Sequence, residues 1–186
     1  MLRRLSSLIL RSIGWQPVFV APPCPKSVVL VYPHTSNWDF PLGMLFRFWC
    51  GIRFHWAGKD SLFHGPLGGL FVRLGGIPIN RREPNGTIAR LAGAFAQKET
   101  IHLCIAPEGT RARVEHWKSG FYHLARSVGV PVGLGFIDYR RKRIGVECWI
   151  ELTGDKARDM ARIRAYYAET APLRAENAGP IRLKEP

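Results

Sequence analysis

His34 and Asp39 stand five positions apart in the run His34-Thr35-Ser36-Asn37-Trp38-Asp39. A carboxylate beside an imidazole holds one ring N–H, fixes the tautomer and stabilises the imidazolium. The other ring nitrogen is then free to act as a general base. The run follows a β-branched stretch, 27–32 (SVVLVY). In an α/β sheet the loop beyond the carboxyl end of a strand is where ligands bind. A turn from that strand into a helix can bring Asp39 back to His34. The same spacing also fits an aspartate that caps a helix and a histidine that is an ordinary polar loop residue.

Two further groups carry chemistry. Pro107-Glu108-Gly109-Thr110-Arg111 follows a second buried apolar run, 101–106. Glu108 is an acceptor, Arg111 binds phosphate or carboxylate, and Gly109 permits a tight turn or close approach of a ligand. Lys118 and Gly120 lie just beyond. A surface turn with a local ion pair is the plainer reading. Its position argues against that, because this loop and the His34 loop should open on the same edge of one sheet. In Gly75-Gly76-Ile77-Pro78-Ile79-Asn80-Arg81-Arg82 a short strand delivers two guanidiniums at its end, which suits a phosphate group or a solvated charge pair.

These loops need a frame. Strands are expected at 27–32, 52–57, 77–80, 101–106, 130–137 and 144–152. Helices are expected at 41–50, 67–74, 85–98, 119–128 and 155–170, several of them closed by glycine or proline. Strands alternating with helices predict an α/β fold, a mostly parallel central sheet flanked by helices. The last two strands, joined by the basic turn 140–143, add an antiparallel edge hairpin. A short N-terminal amphipathic helix precedes the body. Leu2, Leu5, Leu8, Ile9 and Ile13 gather on one side of it, and Arg4, Ser7 and Arg11 on the other. Such a helix lies in a membrane interface or packs its apolar face on the domain. The proline-rich stretch 17–25 reads as a linker.

The 186 residues suit one domain with a proper core. The hydrophobic share of 46% with 11% aromatics excludes an intrinsically disordered chain. Lys plus Arg exceed Asp plus Glu by 27 − 14 = 13, so the partner or surface met is expected to be anionic: nucleic acid, phospholipid or a phosphorylated substrate. Cys24, Cys50, Cys104 and Cys148 are scattered, with no redox-pair or zinc spacing, and read as core thiols in a reducing compartment. No cleavable signal and no membrane-spanning run is recognised, which predicts a cytoplasmic, non-transmembrane protein.

Together, H-x-x-x-x-D at His34–Asp39, the strand end leading to Arg81, and P-E-G-T-R at 107–111 resemble the glycerolipid (1-acylglycerol-3-phosphate) acyltransferase superfamily, as a compact bacterial-type member. The two main blocks are 108 − 34 = 74 residues apart, similar to the family's spacing, and Val130-Pro131 resembles its fourth block. The chain departs at Pro33, where the family usually has Asn, and at Pro78 and Asn80, where Phe and Asp are common.

The resemblance implies residues 1–25 as amphipathic helix and linker, with an acyltransferase domain over 26–186. It implies His34 as general base and Asp39 as its support. Arg81, Glu108, Gly109, Thr110, Arg111 and Lys118 would bind the substrate. A fatty acyl group would pass from acyl-CoA or acyl carrier protein to the hydroxyl of a lysophospholipid such as 1-acylglycerol-3-phosphate, with no metal and no cofactor beyond the donor. The expected setting is peripheral, on an anionic membrane at its cytoplasmic face, without nucleic acid. Two alternatives stand beside it. One is the same chemistry on a non-phosphate lyso-lipid. The other is a non-catalytic basic module using Arg140, Arg141, Lys142 and Arg143 to bind anionic lipid or nucleic acid.

Overall fold

A computed structural model describes residues 1–80 and 84–184, with only the backbone considered for Pro84 and Asn85. In chain order the elements are α1 (Leu2–Ser12), β1 (Gln16–Phe19), β2 (Lys26–Tyr32), α2 (Asp39–Cys50), β3 (Phe54–Lys59), α3 (Gly68–Arg73), β4 (Gly76–Ile79), α4 (Pro84–Gln97), β5 (Ile101–Ile105), α5 (Gly120–Val128), β6 (Val132–Asp138), β7 (Arg143–Ile150) and α6 (Lys156–Tyr167).

The strands form one seven-stranded sheet in the order β1-β7-β6-β2-β5-β3-β4. Five of them, β6-β2-β5-β3-β4, run parallel; β7 is antiparallel to β6, and β1 is parallel to β7. The α/β architecture is the one expected. β2 is central, flanked by β5 and β6 and buried on both faces, which is why it reads as an unbroken apolar run. Alternate residues serve opposite faces. Val28, Leu30 and Tyr32 pack with Leu91 and Phe95 of α4, Phe121 and Leu124 of α5, and Met160 and Ile163 of α6. Val29 packs on the other side with Leu10 of α1 and with Leu42 and Phe46 of α2. The first face is a larger core closed by three helices. The second carries α1 and α2, and Phe71 of α3 joins it edge-on against Phe40 and Trp56.

The stretch expected to be a linker differs. It contains β1, which covers the outer edge of β7, so the antiparallel pair is not the rim of the sheet. Prolines conceal this strand in the sequence. Pro17 is tolerated because β1 is itself the edge, where a missing N–H can face away from the ladder. The approach is close: a Cβ added to Gly145 of β7 would lie 1.9 Å from the Val18 carbonyl oxygen.

Helix α1 is divided along its length. Leu10 is fully buried against the α2 side of the sheet, whereas Leu2, Leu5 and Leu8 are exposed. Among the described residues no helix is long and apolar enough to cross a membrane. Leu10→Ala is expected to cost about 2–5 kcal/mol of unfolding free energy, as for other buried leucines. Leu8→Ala should change it by less than about 0.5 kcal/mol. Urea denaturation of the two variants checks this; equal effects would mean that α1 does not pack as described.

Candidate active site

Three neighbouring parallel strands, β6, β2 and β5, deliver their carboxyl ends to one place. β2 ends at Tyr32, followed by a cis Tyr32–Pro33 peptide and the His34 loop. That loop turns into α2, whose first residue is Asp39. Nδ1 of His34 lies 3.1 Å from Oδ2 of Asp39. Nδ1 is shielded from solvent and makes no well-aligned hydrogen bond, so the contact is close but bent. Catalytic pairs often show such geometry without substrate and tighten when it binds. The His34 side chain keeps 20% of its accessible surface, and with Nδ1 covered this belongs to the rest of the ring.

Asp39 is 3% exposed. Its Oδ2 accepts the Ser36 N–H at 2.9 Å, and its Oδ1 accepts the Tyr139 hydroxyl at 2.6 Å. Burial opposes ionisation, but His34, Tyr139 and the Ser36 N–H together outweigh it and hold the carboxyl below its ordinary range. Asp39 also stands in the first turn of α2, where a negative charge is favourable. The sequence sets Tyr139 only beside the basic turn 140–143 and gives it no part in this site; the one signal for such a part is its place just past the end of β6.

From β5 comes Glu108, 2% exposed, whose Oε2 accepts the backbone N–H of His34 at 2.7 Å. Burial first, and then the Asp39 charge, push its carboxyl up to about 8 against the opposing pull of the His34 N–H. It is therefore mostly neutral at pH 7. Glu108, expected to meet substrate, holds the His34 backbone N–H in this structure.

Gly109 has φ +68°, a left-handed conformation suited to glycine. The Lys118 chain lies across it: a Cβ added there would be 2.9 Å from Cε and 3.3 Å from Nζ. The Lys118 N–H closes the loop on the Pro107 carbonyl at 2.8 Å. Thr110 and Arg111 are exposed on this loop, and Thr110 Oγ1 accepts the Ala112 N–H at 3.3 Å. Arg81 lies outside the described residues. The strand leading to it, β4, is separated from β5 by β3.

The C-terminal segment also reaches the site. The Arg174 N–H and Asn177 Nδ2 each lie 3.4 Å from an oxygen of Thr35, the residue after His34. Farther out, the basic turn after β6 is occupied internally: Arg141 pairs with Asp138 and Glu169, and Arg143 with Glu147. No three His, Cys, Asp or Glu side chains converge to hold a metal among the described residues.

A histidine–carboxylate pair in the segment that follows a parallel strand of an α/β sheet is an arrangement able to take a proton from a bound hydroxyl. Residues 21–133 match the family described as Acyltransferase, and the chain belongs to that family. The fold is similar to the crystal structure of the 1-acyl-sn-glycerophosphate (LPA) acyltransferase PlsC from Thermotoga maritima, with TM-score 0.57, 16% identity, and coverage of 93% of this chain and 80% of that one. No curated protein sequence matches significantly. The resemblance carried by the two motifs is thus borne out for family and fold.

Glu108 gives a pH test. An unfolded chain releases this proton in the ordinary carboxylate range, near pH 4.5, while the folded protein holds it to about 8. Between those values the unfolded state binds fewer protons, so this group lowers stability as pH rises, and the effect levels off above about 8. Glu108→Gln keeps an acceptor for the His34 N–H and removes the titration. Its stability relative to wild type should climb across that window by an amount on the order of a few kcal/mol. A pH-independent difference in urea midpoints would contradict the assignment.

Proposed function

We propose that the chain transfers a fatty acyl group from acyl-CoA or acyl carrier protein to the hydroxyl of a lysophospholipid such as 1-acylglycerol-3-phosphate. The observation that carries this is the His34–Asp39 pair, backed by Glu108, at the mouth of the sheet in a chain of the Acyltransferase family. The likeness to an LPA acyltransferase favours that acceptor class.

In this reading Asp39 holds the Nδ1 side of His34, and the other ring nitrogen takes the proton from the acceptor hydroxyl. The oxygen attacks the thioester carbonyl. The C–S bond then breaks, and the thiolate leaves as a thiol with the proton returned by the imidazolium. A thioester is already activated, so the scheme needs no acyl-enzyme and draws on no cofactor beyond the donor. Glu108, neutral and buried, fixes the backbone of the His34 loop. Gly109 and Thr110 shape the adjoining loop, while Arg111, Lys118 and Arg81 supply cations for phosphate.

We also propose that the reaction takes place on an anionic membrane, at its cytoplasmic face. Exposed Leu2, Leu5 and Leu8 share α1 with Arg3, Arg4 and Arg11. Trp38, beside the site, is 67% exposed, and Leu67, Leu70 and Val72 at α3 are exposed as well. Apolar side chains together with cations suit a lipid interface, where each cation contributes about 1 kcal/mol near an anionic leaflet.

Thiol release from acyl-CoA and from acyl carrier protein, across phosphate-bearing and phosphate-free lyso-lipids, tests the chemistry. His34→Ala should lower the rate by roughly 10²–10⁴ while leaving the urea midpoint near wild type. Wild-type turnover in that variant would end the general-base reading, and equal use of phosphate-free acceptors would redirect the acceptor assignment. For the membrane, the paired change Leu5→Ser and Leu8→Ser should weaken binding to phosphatidylglycerol vesicles without loss of stability. Undiminished binding would move the attraction from α1 to the body of the domain.

A further inference from the structure

The structure carries a third member of the His34–Asp39 unit. We infer that Tyr139 is a positioning residue for acyl transfer: its hydroxyl fixes the Asp39 carboxylate so that the second oxygen faces His34. This rests on the acyl-transfer reading above.

The argument begins with the two oxygens of Asp39. Oδ2 takes the Ser36 N–H at 2.9 Å and lies 3.1 Å from His34 Nδ1. Oδ1 takes the Tyr139 hydroxyl at 2.6 Å, a short charge-assisted bond. The direction of that bond is settled by charge. Asp39 is held ionised, whereas burial and then the neighbouring Asp39 charge keep the proton on Tyr139. The tyrosine therefore donates. A carboxylate anchored at one oxygen only by a backbone N–H can swing about its terminal torsion, which is broad for aspartate. Anchored at both oxygens, it presents one fixed edge to the imidazole.

Tyr139 is itself firmly held. It sits one residue beyond β6, next to the strand that delivers His34. Its backbone N–H donates to the Ala171 carbonyl at 2.9 Å. Its ring meets Trp15 edge-on, with centroids 5.1 Å apart and planes at 88°. Trp15 is almost fully buried, and its N–H donates to the Leu10 carbonyl of α1 at 2.7 Å. A bond spanning 100 residues of sequence thus joins the end of the neighbouring strand, and through Trp15 the N-terminal segment, to the reacting pair. The titratable groups placed around His34 are Asp39 on α2, Glu108 beyond β5 and, through Asp39, Tyr139 beyond β6.

Tyr139→Phe keeps the ring and its contact with Trp15 and removes only the donor. With one donor gone, more of the Asp39 charge is directed at the imidazole, and the pair is less well oriented. We expect kcat to fall about ten- to a hundredfold. KM for the acyl donor should stay within about twofold, because no substrate contact is lost. The acidic limb of the pH profile of kcat/KM should move to higher pH, since the imidazolium is better stabilised. Circular dichroism would normalise each rate to folded enzyme. A kcat within twofold of wild type would overturn the inference. So would a fall in rate that follows the folded fraction, with the limb unmoved, since that is a structural role alone. His34→Ala, measured beside it, separates the two readings. An inactive His34→Ala with a wild-type Tyr139→Phe removes only the role of Tyr139. An active His34→Ala, or a wild-type enzyme that releases no thiol, removes the acyl-transfer reading and this inference together.

Discussion

A carboxylate that is 3% exposed must be surrounded by donors, and much of this structure follows from meeting that demand for Asp39. An unpaired buried charge would be neutralised instead, and a neutral aspartic acid could not support an imidazolium. Its partners come from three places: the preceding turn through the Ser36 N–H, the His34 ring in close contact, and Tyr139 at the end of the neighbouring strand. The turn places the carboxylate, the sheet order brings Tyr139 beside it, and burial makes each contact stronger than it would be in water.

Glu108, bound to the N–H of His34, is the contrasting case. It too is buried, but its observed donor is a single N–H, and the Asp39 charge lies nearby. Desolvation wins there, and the proton stays. Two carboxyl groups in one site are thereby driven apart, one held below its ordinary range and the other raised above it. The difference lies in the number of donors each receives rather than in residue type.

The sheet divides the labour. One face carries α4, α5 and α6 over a core of large apolar residues, with Trp117 and Tyr167 fully buried beside Tyr32. This rigid side ends in the loops that hold His34 and Glu108. The opposite face is covered by α1, α2 and α3, and it leaves leucines of α1 and α3 exposed, with Trp38 at the start of α2. The positive charge of the chain divides similarly. The turn after β6 satisfies its arginines internally through Asp138, Glu147 and Glu169, while the arginines of α1 stand beside exposed leucines.

Much of this was legible in the amino-acid order, because it is local. Apolar runs bounded by Gly and Pro located six of the seven strands, and glycines at 51 and 129 do close α2 and α5 in a left-handed conformation. The spacing of His34, Asp39 and Glu108 identified the family, and loops following strands placed all three on one edge of a sheet. What remained hidden depends on contacts distant in sequence. β1 looks like linker because its prolines matter only relative to an edge that tertiary pairing creates. The bond from the His34 N–H to Glu108 is likewise hidden, because it exists only once β5 packs beside β2. Tyr139 carries no motif at all; its partner is 100 residues away, and only the placement of β6 against β2 brings its hydroxyl to Asp39. Local order determined which groups could react, while strand order decided which of them hold one another, since burial and hydrogen-bond direction exist only once the sheet has assembled.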